Sequence, residues 1–231
     1  MVRIGNFFFR YRNYLFPFFY AMLFVPSPVL TEYYPIVLYL GLAVTILGEA
    51  IRFTTIGLVY IVRGGRNRRI YAEGLVTDGI YAHCRNPMYV GNVLMLLGMG
   101  ILSNSLLFML IMVPFFLFIY QAIILAEEDF LRGKFGSGFD EYCSNTNRWT
   151  LKLTGLGETI RSFDFNTKRA LYKEYNTTYI WCVGILSVIA LNIYRIYGAD
   201  ILYQYKLIFI LIFSFATVAY VITKIAKKSH W

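Results

Sequence analysis

The chain has 231 residues, of which 58% are hydrophobic, 19% aromatic and only 15% charged, against about 25% charged in ordinary globular domains. Lys and Arg number 22 and Asp and Glu 13, a formal charge of +9, yet the mean hydropathy is +0.55, so the cations lie outside long apolar runs. That pairing excludes a disordered chain and a nucleic-acid-coating domain, and it fits a membrane protein with basic cytoplasmic loops.

A membrane helix needs ~20 mainly apolar residues. In chain order the candidate runs are roughly 14–30, 35–61, 88–102, 106–126, 178–197 and 202–223, which predicts an all-α polytopic membrane protein with about six transmembrane helices. The first run holds Pro17, Pro26 and Pro28 and is expected to be kinked or partly unwound. A cleaved signal peptide over residues 3–25 is the competing reading, against which stand the aromatic core and the lack of a small-x-small site. The second run carries Glu49 and Arg52 at i, i+3 spacing, where the pair offsets part of its charge cost in the bilayer and pins helices or marks a lipid tunnel. The basic run Arg63-Gly-Gly-Arg-Asn-Arg-Arg69 reads as a site for anionic lipid headgroups.

The third and fourth runs are separated by Ser103-Asn104-Ser105, so they form an antiparallel helical hairpin. The third is short for a bilayer, which suggests that its start is buried in protein or in a polar cavity. Residues 150–177 read as an interfacial connector with Trp149, Tyr172 and Tyr175 at headgroup depth. Lys and Arg crowd the segments before the first run, after the second, after the fourth and after the last, which places both termini in the cytoplasm of an inner-membrane protein. The organisation expected is residues 1–72 for the N-terminal helices and basic loop, 73–149 for a core, 150–177 for the connector and 178–231 for a C-terminal hairpin.

Two cytoplasmic segments carry unusual chemistry. In the first, Glu73 to Asn92, Thr77-Asp78-Gly79 is a turn and Asn86-Pro87 a helix start with proline at the first helical position. Backbone donors there, next to Arg85, suit a carboxylate or phosphate; a plain capped helix end with a snorkelling arginine is the alternative. In the second, Glu127-Glu128-Asp129 follows the fourth apolar run. These carboxylates repel one another at the negative end of a helix, so Arg85, Arg148 or a cationic ligand should compensate them, unless they are simply solvated. The hairpin brings the two segments to one membrane face. A zwitterionic ligand would suit such a pocket, with Tyr81, Tyr89 and Tyr142 available to stack on a base or lie against a sulfonium.

The motifs Leu-Val-Thr-Asp-Gly-Ile-Tyr-Ala-His-Cys-Arg-Asn-Pro-Met-Tyr-Val-Gly and Glu-Glu-Asp-Phe-Leu-Arg-Gly-Lys-Phe-Gly-Ser-Gly-Phe-Asp-Glu-Tyr, in this order across one hairpin, resemble the isoprenylcysteine carboxyl methyltransferase and phospholipid methyltransferase superfamily. The resemblance covers roughly residues 73–149. It implies S-adenosylmethionine as cofactor and a lipid or lipidated substrate. It further implies that Glu73, Leu75, Val76, Tyr81, Arg85, Asn86, Pro87 and Tyr89 line the cofactor pocket, that Glu127 and Glu128 contact the cofactor's polar groups, and that Arg148 matches a family arginine. The family's usual Arg-His-Pro is Arg85-Asn86-Pro87 here, the histidine before Leu-Val is replaced by Glu73, and Ile123 stands where a substrate-binding arginine is usual. A carboxylate substrate would want that cation, so an amine or hydroxyl on a lipid is an equal candidate for the acceptor.

Methyl transfer from a sulfonium asks the protein for orientation, water exclusion and, for an amine, deprotonation. Arg148 and Glu128 are the candidate catalytic residues, Arg148 to hold a carboxylate bidentately and Glu128 or Glu73 to take a proton. His83 and Cys84 read as structural, Cys143 lies near the same place, and the three cysteines with Cys182 show no CxxC spacing, so no metal site is expected. An NADPH-dependent sterol-type reductase, with a similar Arg-x-Pro-x-Tyr and Phe-Gly arrangement, and a non-catalytic scaffold are the alternatives.

Overall fold

The computed structural model describes residues 1–59 and 68–229. Among these the chain is helical, with an isolated antiparallel bridge between Val29 and Ser105. Nine α-helices follow in order: α1 Val2–Tyr20, α2 Tyr34–Leu58, α3 Pro87–Leu102, α4 Val113–Phe135 entered through a π-helical turn Phe108–Met112, α5 Ser137–Asn145, α6 Leu156–Ser162, α7 Thr167–Tyr197, α8 Ala199–Gln204 and α9 Lys206–Ser229. Among the described residues four helices are long and apolar enough to cross a membrane: Tyr34–Leu58, Phe108–Phe135, Thr167–Tyr197 and Lys206–Lys228. Arg63 and Arg66 of the expected headgroup-binding run lie outside the described residues; Arg68 within it donates to the Tyr14 hydroxyl at 3.0 Å.

The first helix differs from its expectation. It begins at Val2, takes Arg3, Arg10 and Arg12 into the helix, keeps Pro17 inside, and gives way to a 3-10 turn over Ala21–Phe24. Two of these arginines lie against aromatic rings, the Arg10 guanidinium 5.5 Å from the Tyr11 ring centre and the Arg12 guanidinium 4.3 Å from that of Phe9. The helix stops where the prolines dictate: Val25, just before Pro26, is extended at φ −74° and ψ 133°.

Helices α2 and α3 approach backbone to backbone. A Cβ placed on Gly48 would fall 2.6 Å from the Gly91 carbonyl oxygen, and one on Gly98 would fall 2.4 Å from the Thr45 nitrogen, so small residues alone permit this seam. Across it Thr45 donates to the Met95 carbonyl at 3.4 Å and receives the Trp181 indole N–H of α7 at 2.6 Å. α4 packs on α1 through Phe16, Phe19, Phe116 and Tyr120. The turn between α3 and the π-helical turn is fastened to the loop after α1, with Asn104 accepting from the Leu30 and Thr31 amides at 3.0 and 3.2 Å. The two arms of the hairpin therefore stand at fixed height, each held by its own partner helix.

Two further expectations shift. The fourth apolar run does not end at residue 126: α4 continues to Phe135 and stops at Gly136, whose φ is +55°. Glu127 and Glu128 thus sit two turns inside the helix, where the end dipole is weak, and Arg132 and Lys134 occupy the last turn where cations belong. The polar stretch expected as a connector to residue 177 folds as α6 and, from Thr167, as the first turns of α7.

Candidate functional site

The loop into α3 is built as a series of tight hydrogen-bonded turns. Gly79, at φ +60°, opens a 3-10 turn over Gly79–Ala82, a backbone conformation that favours glycine. Tyr81 is buried, and its carbonyl accepts the Tyr142 hydroxyl of α5 at 2.7 Å. His83 is buried too, with Nδ1 2.7 Å from the Lys152 carbonyl and Nε2 2.8 Å from the Thr159 hydroxyl, so it straps α6 and the segment before it onto the loop. Cys84 is fully buried, with its thiol toward the Arg148 and Trp149 carbonyls at 3.6 and 3.7 Å, and burial pushes that thiol up from its ordinary pKa. Both residues thus have structural contacts of the kind expected.

At the start of α3, Pro87 occupies the first turn as expected, but the Asn86 side chain does not cap the helix. Its amide donates to the Arg148 carbonyl at 3.1 Å, while the Arg85 amide donates to the Asn147 carbonyl at 2.9 Å. The segment after α5 is therefore clamped across the helix start. That clamp delivers Arg148 to α4: its Nε and terminal nitrogen donate to the two oxygens of Glu128 at 2.9 and 2.7 Å, a bidentate pair. Arg85 approaches the same carboxylate at 3.4 Å from the other side. Glu128 is buried, and its hydrogen bond holds the Arg148 guanidinium above its ordinary pKa. Glu127, one residue earlier, accepts from the Tyr89 hydroxyl at 2.8 Å, and the Tyr89 ring lies 5.6 Å from that of Tyr120. Trp149 closes the group by donating to Gln121 of α4 at 2.9 Å.

Seven of the residues singled out in the sequence, Arg85, Asn86, Pro87, Tyr89, Glu127, Glu128 and Arg148, thus meet at one place. Tyr81 joins them through Tyr142. Glu73, Leu75 and Val76 are not joined to that network among the described residues: Glu73 is exposed and the other two half-buried. Their stretch reaches α4 further along, where Lys134 donates to the Ala72 carbonyl. Ile123, where a cation was wanted for a carboxylate acceptor, is fully buried and packs with Phe9 and Ile119. The Arg85 Nε is buried without a hydrogen-bond partner among the described residues. A buried guanidinium donor left open in this way asks for an acceptor, and an anionic group such as a carboxylate meets that demand.

A second polar group lies deeper in the helices. Arg52 of α2 donates through Nε to Glu174 of α7 at 2.7 Å, through one terminal nitrogen to the same carboxylate and through the other to Asn92 of α3. Glu49 stands 3.8 Å from Arg52 and accepts from Thr178 of α7. The sequence marked Glu49 with Arg52 and missed Glu174 and Asn92. The missed signal is the helical spacing of Glu174, Thr178, Trp181, Ile185, Val188 and Asn192, which turn inward along α7.

Comparison with known proteins points to the same region. Residues 36–138 match the family model described as phospholipid methyltransferase. The cobalt-zinc-cadmium resistance protein CzcN of Cupriavidus metallidurans is 38% identical over 80 residues, 35% of this chain and 37% of that protein. The protein-S-isoprenylcysteine O-methyltransferase of Schizosaccharomyces pombe is 38% identical over 87 residues, 36% and 34% of the two chains. A rice protein named probable protein-S-isoprenylcysteine O-methyltransferase is 33% identical over 131 residues, 52% of this chain and 63% of its own. The chain thus covers about a third of the first two of these relatives and under two thirds of the rice protein. No solved structure matches. The family model takes in most of α2, all of α3 and α4, and both Glu127 and Glu128, so residues 36–138 of this chain are similar to the phospholipid methyltransferase family.

Proposed function

We propose that this protein is an integral-membrane methyltransferase that moves a methyl group from S-adenosylmethionine to a lipid or lipidated acceptor. The observation that carries the reading is the meeting of Arg85, Tyr89, Glu127, Glu128 and Arg148 at the junction of α3 and α4, all but Arg148 inside the region that matches the family. The cofactor is a zwitterion with a hydroxylated ribose. The open Arg85 Nε and the α3 start suit its carboxylate, and Glu127 suits its ammonium or hydroxyl groups. When bound, the cofactor supplies the activated methyl on a sulfonium.

The chain's own residues bind, orient and exclude water. Both oxygens of Glu128 are engaged by Arg148, so its part is to aim that guanidinium, while Arg85 and Asn86 hold the helix start against the clamp. An amine acceptor must lose a proton, and Glu127, held by Tyr89 rather than by a guanidinium, is placed to receive it. With Ile123 in the apolar cluster, the reading favours an amine or hydroxyl acceptor over a carboxylate. Counting α1 and the 16-residue α3 with the four longer helices gives six spans. The distribution of Lys and Arg then puts both termini and the site on the cytoplasmic face of the inner membrane, where the basic segments attract anionic headgroups.

Calorimetric titration of the purified, lipid-supplemented chain with S-adenosylhomocysteine, and NADPH in parallel, tests the reading. Saturable binding of the first together with labelled-methyl transfer into extracted lipids is expected. Binding of NADPH alone would turn the assignment to a reductase, and binding of neither would leave a scaffold.

A further inference from the structure

From the deeper polar group we infer that Glu174 of α7, outside the family-matched region, is a positioning residue that holds the start of α3 in register for the cofactor site. This inference rests on the methyltransferase reading. Glu174 and Arg52 are both buried, and Arg52 binds Glu174 with two of its nitrogens and Asn92 with the third. One guanidinium thereby ties α7 to α3 through α2. Asn92 lies five residues after Pro87, about 8 Å along the helix axis, and three residues after Tyr89, so the two share a face of α3. Tyr89 in turn carries the hydrogen bond to Glu127 at 2.8 Å. An axial slip of α3 would break that bond directly.

The α2–α3 seam makes such a restraint necessary. Glycine contacts allow close approach but hold axial position weakly, and the stem of Arg52 is what lies over Gly91, where an added Cβ would sit 2.5 Å from its Cγ. A buried ionic group contributes little net stability compared with a well-packed apolar one, and fixing register is its best-attested use. Glu49 decides what neutralising Glu174 does. It lies 3.8 Å from Arg52 on the same helix, so an Arg52 released by Glu174→Gln turns toward Glu49, and its tie to α3 is lost while its charge stays compensated.

The test uses the full chain in nanodiscs, with two readouts: affinity for S-adenosylhomocysteine and hydrogen exchange of peptides spanning residues 86–94. Glu174→Gln is expected to weaken binding about tenfold, the scale of one charge-assisted hydrogen bond lost at the site, and to raise exchange selectively at the α3 start, with Glu174→Asp intermediate. Asn92→Leu, which leaves the Arg52–Glu174 pair in place, is expected to do the same and decides the matter if Glu174→Gln fails to fold. Unchanged exchange at 86–94, or a uniform rise across the chain with affinity intact, would overturn the inference. If the unmodified chain binds no S-adenosylhomocysteine, the methyltransferase reading fails, and the exchange readout still decides whether Glu174 holds α3.

Discussion

Two groups of glutamate and arginine in this chain use the same residue types for different ends. Near the α3 start, the Glu128 carboxylate faces two guanidiniums while Glu127 is held by the Tyr89 hydroxyl, and Arg148 keeps a third of its side chain exposed. Deeper down, two carboxylates share one guanidinium, and Arg52 and Glu174 are almost wholly shut off from solvent. The first group is balanced and within reach of a solute, with a buried nitrogen still open on Arg85. In the second, every nitrogen of Arg52 is spoken for by a neighbouring helix. Reach and residual donor capacity separate a binding group from a register device; charge alone does not.

Substitutions sharpen that contrast. The largest effect is expected from Arg52→Leu, which leaves two buried carboxylates without their cation; removing one partner of a buried pair costs about 3–5 kcal/mol, enough to prevent recovery of folded protein, as checked by size-exclusion profile and thermal melt. Arg148→Lys should spare folding but lose the planar two-point grip on Glu128. A hydrogen bond to a charged group is worth about 1.5–3 kcal/mol, so cofactor affinity should fall about tenfold or more, as read by calorimetry. Asn86→Ala removes one hydrogen bond to the clamp and should cost about 1 kcal/mol in a thermal melt, with a smaller loss of affinity. The mildest probe is maleimide labelling of Cys84. Burial and a raised pKa should make it slow at neutral pH, with the rate rising as pH climbs and thiolate forms; fast labelling at pH 7 would show that the clamp opens freely.

Much of the first group was legible because its signals are local. Arg85-Asn86-Pro87 marks a helix start and Glu127-Glu128 an acidic pair, and the short turn at Ser103 to Ser105 brings the two to the same end of a hairpin. The sequence reading of a hairpin did not say what each arm packs on: α3 lies on α2 and α4 on α1, a choice set by glycine and aromatic surfaces rather than by the turn. The reach of α4 past residue 126 was hidden because hydropathy falls at the acidic pair while helical propensity does not. Glu174 was hidden for a different reason. Its partner lies 122 residues away in sequence, so a glutamate among lysines and tyrosines looked like part of a polar connector. Arg10 and Arg12 misled in the same manner, since neighbouring rings take up their guanidiniums while the charged sequence stays helical.

The most direct test of the central claim is the affinity of the purified, lipid-supplemented chain for S-adenosylhomocysteine, measured side by side with the Glu127→Gln variant. The account expects saturable binding by the unmodified chain and markedly weaker binding by a variant that is still folded. Equal affinity in the two would contradict the placement of the cofactor's ammonium or hydroxyl groups at Glu127.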